Sequence, residues 1–273
     1  MIEITNHTNH LSTYVDSLQK QGHITFRLNE AASVSGISLQ KARLSAYRLS
    51  QKNRIFRAYR NFYVIVPLEY QNTGCPPPDW FIAPLMHHMG TDYYVGLLSA
   101  AALHGAAHQQ PMIFQVLTAK YSKLILAPSM NIQLYRNNPI YHPGIEQKKT
   151  VAGYINVSTP ELTAFDLIRY AKASGHYNHI ATVLAELAEK IDARKLAFTV
   201  EALCQEQRAW IYVQRLGYLL DVVGFEKFAD PLAALIRKCN PKFGYLVAGK
   251  PTKKLETQQR WHLYINDTIE ADL

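Results

Sequence analysis

Residues 22–67 read GHITFRLNEAASVSGISLQKARLSAYRLSQKNRIFRAYRNFYVIVP. Eight bases fall here (Arg27, Lys41, Arg43, Arg48, Lys52, Arg54, Arg57, Arg60) against one acid, Glu30, a surplus of seven in a chain whose net charge is +8. Phe26 and Leu28 lead into a helix expected over about 29–35, with Asn29 placed to cap it. Gly36-Ile37 makes a turn, since glycine tolerates the positive φ that a tight helix–helix junction needs. Ser38 is expected to cap a longer helix running to about Gln51. Its inward face is Ala42, Ala46 and Leu49, and its outward face is Gln40, Lys41, Leu44, Ser45, Tyr47 and Arg48. After Arg54 the period changes, and 55–66 reads as a hairpin turning near Tyr59 to Asn61. Helix, turn, helix and basic hairpin together predict a winged helix–turn–helix. That shape can lay one helix in a major groove and release counterions from phosphates.

Working outward, Leu11, Tyr14, Val15 and Leu18 fall at i, i+3, i+4 and i+7, one apolar helical stripe stopped near Gly22. On the other side, Pro67 to Asp79 contains Asn72-Thr73-Gly74 and then Pro76-Pro77-Pro78, which favours a stiff spacer. The expected organisation is a winged-helix domain over 1–67, a Pro-rich linker over 68–79, and a larger domain over 80–273. In the larger domain a helix is expected over Trp80–Met89 and another from Asp92, as cap, to His104. Strands are expected at 112–118, 124–127, 132–135 and 151–157. Ser158-Thr159-Pro160-Glu161 matches a capping box with proline in the first turn. Helices near 178–190, 192–205, 207–223 and 230–238 and a strand at 260–265 complete an α+β class: a winged helix followed by a mixed α/β domain with a helical block.

Composition narrows the function. No apolar run is long enough for a membrane span, and the first ten residues lack a signal-peptide core. Cys75, Cys204 and Cys239 are scattered and odd in number, forming neither a disulfide framework nor a CxxC site, which suits a cytoplasmic location. Outside 22–67 the charge is nearly balanced, so affinity for nucleic acid is expected in the N-terminal quarter.

Within that quarter Lys41, Ser45 and Arg48 are expected near base edges or flanking phosphates, with Gln40 a candidate adenine reader. Arg43, Lys52, Arg54, Arg57 and Arg60 are expected on phosphates, and Asn61 at the wing tip. His104 and His108 have helical metal-ligand spacing, but Gly105 interrupts them and no third ligand is near, so a helix-end role for His104 is expected. His87 and His88 point to different faces. Ser99 and His104, five apart, do not share a helical face, and no nucleophile elbow is present. Neither a metal, a cofactor nor a catalytic residue is therefore expected. Glu161 reads as a capping-box residue, and Asp166 with Arg169 as a surface pair.

Several stretches of the chain resemble one family. They are the winged helix with its arginine- and aromatic-rich hairpin, residues 93–105 (YYVGLLSAAALHG), Thr159-Pro160-Glu161 with Asp166, and residues 215–220 (RLGYLL). In this order they are similar to AbiEi-type antitoxins of bacterial type IV toxin–antitoxin and abortive-infection systems. At the wing, Asn61 stands where glycine is common in the family, and asparagine also tolerates the left-handed conformation. The resemblance implies two activities. One is repression of the protein's own operon through inverted repeats in double-stranded DNA. The other is opposition to a nucleotidyltransferase toxin of the AbiEii kind without a stable complex. It also makes Glu161, Asp166 and Arg169 candidates for an antitoxicity surface. Two other readings stay open from the residues: an enzyme guided to nucleic acid by the winged helix, and a ligand-sensing winged-helix regulator.

Overall fold

The structure, a computed structural model, describes residues 10–106, 111–207, 209–250 and 256–271. Its packing divides the chain into two compact units. The first comprises residues 1–93, 112–140 and 147–156; the second comprises 94–111, 141–146 and 157–273.

The first unit begins with α1 (Leu11–Lys20), β1 (Thr25–Arg27), α2 (Leu28–Val34), α3 (Leu39–Gln51), β2 (Ile55–Tyr59) and β3 (Phe62–Ile65). The strands form a sheet in the order β1-β3-β2, both pairs antiparallel. This is the winged helix. Leu11, Val15, Phe26, Leu28, Ala31, Ala42, Ala46, Leu49, Ile55 and Ile65 share one core, with Tyr14, Leu18 and Ile37 packed against it. The apolar stripes on α1 and α3 are therefore the ones that turn inward. Ser38 caps α3 as expected, its hydroxyl accepting from the Lys41 N–H at 3.3 Å. Asn29 does not cap α2: the N-cap position is Arg27, which makes no side-chain cap bond.

Residues 68–79 pack within this unit. Leu68–Tyr70 is a 3-10 turn, Cys75 is buried, and Pro78 opens α4 (Pro78–Met89). The proline run reads as a stiff spacer, yet α4 begins within it, because at the first helical position proline's missing N–H costs nothing. Burial pushes the Cys75 thiol up to about 11, away from reactivity. The unit then takes up strands that return from later in the chain. β5 (Ile113–Thr118) runs parallel to β7 (Asn131–Arg136) in register from Ile113 opposite Asn131 to Thr118 opposite Arg136, and β6 (Lys123–Ile125) pairs antiparallel to β7.

Where the chain passes from the first unit to the second, Tyr93–Val95 is a strand, β4, in place of the expected helix; α5 spans only Leu97–Leu103 after Gly96. An aromatic and β-branched run suits a strand better than a helix. β8 (Ile145–Thr150) was not expected, having one apolar residue and no alternation; β9 (Gly153–Ser158) was. Val95 pairs with Val157 in parallel. A helical block follows: α6 (Pro160–Arg169), α7 (His176–Leu187), α8 (Ala193–Gln207), α9 (Trp210–Val222) and α10 (Glu226–Cys239). It is closed by a small sheet of β10 (Gly244–Tyr245), β11 (Glu256–Gln258) and β12 (Leu263–Ile265). Gly217 in α9 explains the RLGYLL stretch. A Cβ there would lie 2.1 Å from the ring of Trp261, which is fully buried and donates from Nε1 to Asp221 Oδ2 at 2.6 Å. The fold class is α+β, as the sequence predicts.

Candidate nucleic-acid interface

The second long helix of the winged helix, α3, keeps its small residues inside and so presents a rich outer face. Gln40, Lys41, Arg43, Leu44, Tyr47 and Arg48 are exposed, and Ser45 is half-buried. Leu44 is 56% and Tyr47 64% exposed, apolar surface that nothing in its own unit covers and that can meet a thymine methyl or a sugar.

Two grooves flank this helix. One, of about 1060 Å³, runs between α3 and the hairpin and is lined by Arg43, Tyr47, Gln51, Arg57 and Arg60, among others. The other, about 540 Å³, is lined by Gly36, Ile37, Lys41, Leu44, Ser45 and Arg48, together with His10. Neither groove has an Asp or Glu in its lining.

The basic side chains separate into two groups. Arg27 pairs with Glu30 at 3.1 Å, and Arg54 pairs with Asp16 of α1. Arg54 is thus a brace between α1 and the base of the wing, with its charge already answered, rather than the free phosphate contact expected. By contrast Lys41, Arg43, Arg48, Lys52, Arg57 and Arg60 form no ion pair among the described residues. Six like charges without counter-charges on one small module repel one another, a cost that a polyanion reverses.

The wing is held from both sides. Asn61 takes φ +60°, as its place in a tight turn requires, and its backbone oxygen accepts from Leu28 N–H at 3.2 Å. Its side chain is spent inside the fold. Oδ1 accepts from Asn29 N–H at 3.0 Å, and Nδ2 donates to Asn29 Oδ1 at 2.7 Å. Asn61 therefore positions the wing and is not a free DNA contact as expected. On the other side His88 of α4 bonds the Arg60 carbonyl through Nε2 at 3.0 Å, and its ring lies 5.1 Å from that of Phe62. The sequence offered His88 only as half of a rejected metal pair; its role as wing anchor had no local signal.

The candidates in the second unit fare differently. Asp166 is fully buried, accepting from the Tyr94 hydroxyl at 2.7 Å. Burial raises its carboxyl to about 7, against the lowering pull of that hydrogen bond and of Arg169. Glu161 is also buried. Thr159, not Ser158, is the N-cap of α6, so Glu161 sits one place early for a capping box and accepts from Asp192 N–H at 3.0 Å instead. Glu161 and Asp166 thus form no surface, because each satisfies a group inside the unit; only Arg169 is partly exposed. His104 ends α5 and its Nε2 donates to the Ser158 carbonyl at 2.7 Å, the helix-end role expected. His108 lies outside the described residues. No group of three or more potential metal ligands occurs among the described residues. No helix among them is long and apolar enough to cross a membrane.

Charge sorts between the units. The first holds fourteen Lys/Arg and six Asp/Glu, the whole net +8, while the second holds fifteen of each. Residues 94–222 match the AbiEi antitoxin C-terminal domain. This is the family that the sequence resembles, and the AbiEi match supports an antitoxin of a toxin–antitoxin system. Among solved structures, the chain is similar to the crystal structure of the RV2827C protein from Mycobacterium tuberculosis, with TM-score 0.66 and 14% identity over 93% of this chain and 90% of that one. At that identity the likeness speaks for the fold. No curated protein matches the chain.

Proposed function

We propose that this chain is a cytoplasmic antitoxin that binds double-stranded DNA through its winged helix, represses its own operon at inverted repeats, and opposes a nucleotidyltransferase toxin without forming a stable complex with it. The observation that carries the DNA reading is the exposed outer face of α3 set between two acid-free grooves, with six bases around it that form no ion pair among the described residues. Lys41, Ser45, Arg48 and Gln40 are the base-reading candidates. Arg43, Lys52, Arg57 and Arg60 are the phosphate contacts. The AbiEi segment supports the antitoxin half of the reading, and the nature of the toxin rests on the family resemblance.

A salt titration with fragments of the upstream promoter tests the DNA half. The wild-type protein retards these fragments, with an affinity that falls steeply with salt. Arg57→Ala with Arg60→Ala weakens every sequence alike and flattens the slope by about 0.9 for each phosphate that is no longer neutralised. An unchanged slope removes the wing from the interface, and no retention even in dilute buffer removes the reading. For the antitoxin half, a neighbouring nucleotidyltransferase gene should be toxic when expressed alone and harmless beside this chain. Toxicity that persists contradicts it.

A further inference from the structure

The winged helix ends at residue 67, but the charge of the first unit does not. The two later segments that complete this unit, 112–140 and 147–156, carry Lys120, Lys123, Arg136, Lys148 and Lys149 and no Asp or Glu. One of these bases is fixed beside the wing and a second at the end of the helix that holds it. Lys123, exposed on β6, places its ammonium over the Tyr59 ring, 4.7 Å from its centre. Tyr59 immediately precedes the wing-tip residue Arg60, and its ring also meets His88, the residue that holds the Arg60 carbonyl. Lys120 donates to the Gly90 carbonyl at 2.7 Å, just where α4 ends in the left-handed conformation. The helix that grips the wing at His88 is therefore also the support for Lys120. Asp92 lines the small cavity beside Lys120, so Lys123 is the less compensated of the two.

We infer that Lys123, with Lys120 behind it, is a second phosphate-contacting patch that carries a bound duplex past the wing and lengthens the footprint beyond what the winged helix covers alone. This rests on the DNA reading above and adds residues that lie outside the N-terminal quarter. The cation–π contact with Tyr59 holds the Lys123 ammonium in place while leaving its N–H donors available to a phosphate. A wing phosphate and the Lys123 phosphate would then belong to one backbone run. Neither lysine reads sequence, because phosphates carry none.

The test uses the full chain and two synthetic duplexes with the same inverted repeat, one carrying flanks of about one helical turn on each side and one trimmed to the repeat. The wild-type protein binds the long duplex more tightly, with a larger salt slope. Lys123→Gln keeps the stem and lowers the slope on the long duplex by about 0.9. Adding Lys120→Gln makes the two duplexes nearly equivalent. Lys123→Arg retains the wild-type behaviour, and Lys172→Gln, an exposed lysine of the second unit, serves as the neutral control. Thermal unfolding of each variant checks that the fold is kept. If the wild-type protein binds both duplexes and the Arg57/Arg60 variant loses slope while Lys123→Gln does not, the extension is wrong and the winged-helix reading stands. If neither duplex is bound at low salt, both fall together. A variant that unfolds is replaced in the comparison by Lys123→Met, and an unchanged slope there also overturns the inference.

Discussion

The two units of this molecule treat charge in opposite ways. In the second unit bases find acids within the fold: Lys238 meets Glu201, Lys250 meets Asp267, and Arg260 meets both Asp221 and Asp230. Its acids are also used inside, with Glu161 on a backbone N–H and Asp166 on a tyrosine hydroxyl. In the first unit Arg27 and Arg54 are answered by an acid, whereas the winged-helix bases Lys41, Arg43, Arg48, Lys52, Arg57 and Arg60 form no ion pair among the described residues. Exposed ion pairs add little stability, so the second unit gains mainly neutrality from its pairing. The first unit accepts self-repulsion, which a protein with no anionic partner has little reason to keep. Internal pairing in the second unit and unpaired bases on the winged helix are what the proposed division into scaffold and interface requires.

The sharpest way to break this comparison is through Asp166, where the second unit holds its most costly acid. The unfolded carboxyl titrates near 3.8 and the folded one at about 7. Between those values the folded chain keeps a proton that the unfolded chain has released, so stability falls as pH rises through the window. The contribution of the protonated Asp166 is fully lost above about pH 7. Relative to Asp166→Asn, the wild-type protein should lose stability on the order of 4 kcal/mol from pH 4 to pH 8. Denaturant unfolding at a series of pH values measures this. Parallel curves for the two proteins mean that Asp166 is not a buried acid. Next in size is Gly217→Leu. Where even a Cβ would lie 2.1 Å from the Trp261 ring, a leucine should cost at least about 3 kcal/mol of stability. An unchanged melting temperature would show that Trp261 does not rest on that helix.

On the first unit the expected effects move from stability to recognition. Lys41→Ala and Arg48→Ala should each leave unfolding nearly untouched, because both side chains are exposed and form no ion pair among the described residues. Each should cost roughly 1–3 kcal/mol of affinity at particular base pairs, if it makes the bidentate contact expected of it. Competition between operator variants separates this from a uniform loss. Equal weakening on every sequence would move these residues into the phosphate class and leave Gln40 and Ser45 to read the bases.

What could be read from the sequence follows from how local each signal is. The winged helix was legible because its determinants sit close together: Ser38 three residues from the N–H it caps, and Ala42, Ala46 and Leu49 on one helical face. The closure of the first unit was not, because β5 and β7 pair in parallel from segments that return to it after residue 111, and parallel pairing leaves no turn signature. Lys123 therefore read as an ordinary exposed lysine. Asp166 misled for the opposite reason. An acid and an arginine at i and i+3 imitate a surface pair, and only the distant Tyr94 reveals that the acid faces inward. The Tyr93–Val95 strand was masked by the helix that follows it. Even within the winged helix, Arg54 and Asn61 were assigned to DNA because the residues that occupy them, Asp16 and Asn29, lie 38 and 32 positions away.

That last pair yields the smallest effect and a discriminating one. Helix α2 begins without a side-chain cap of its own, and Asn61 supplies the missing acceptor from the wing, its Oδ1 taking the Asn29 N–H in the first turn. An N-cap contact of this kind is worth about 1 kcal/mol. Asn61→Ala loses that acceptor and keeps a Cβ in the left-handed region, at φ +60°, without asparagine's tolerance for it. Asn61→Gly loses the acceptor but removes the backbone strain, which restores a part of the cost. The alanine variant should therefore be the less stable, by several tenths of a kcal/mol up to about 1 kcal/mol, with both below the wild-type protein in denaturant unfolding. The salt slope of duplex binding should be unchanged in both, since every base proposed to contact phosphate is still in place. A slope that falls in the glycine variant would return Asn61 to the interface, and a glycine variant less stable than alanine would mean that the turn does not need the left-handed residue it contains.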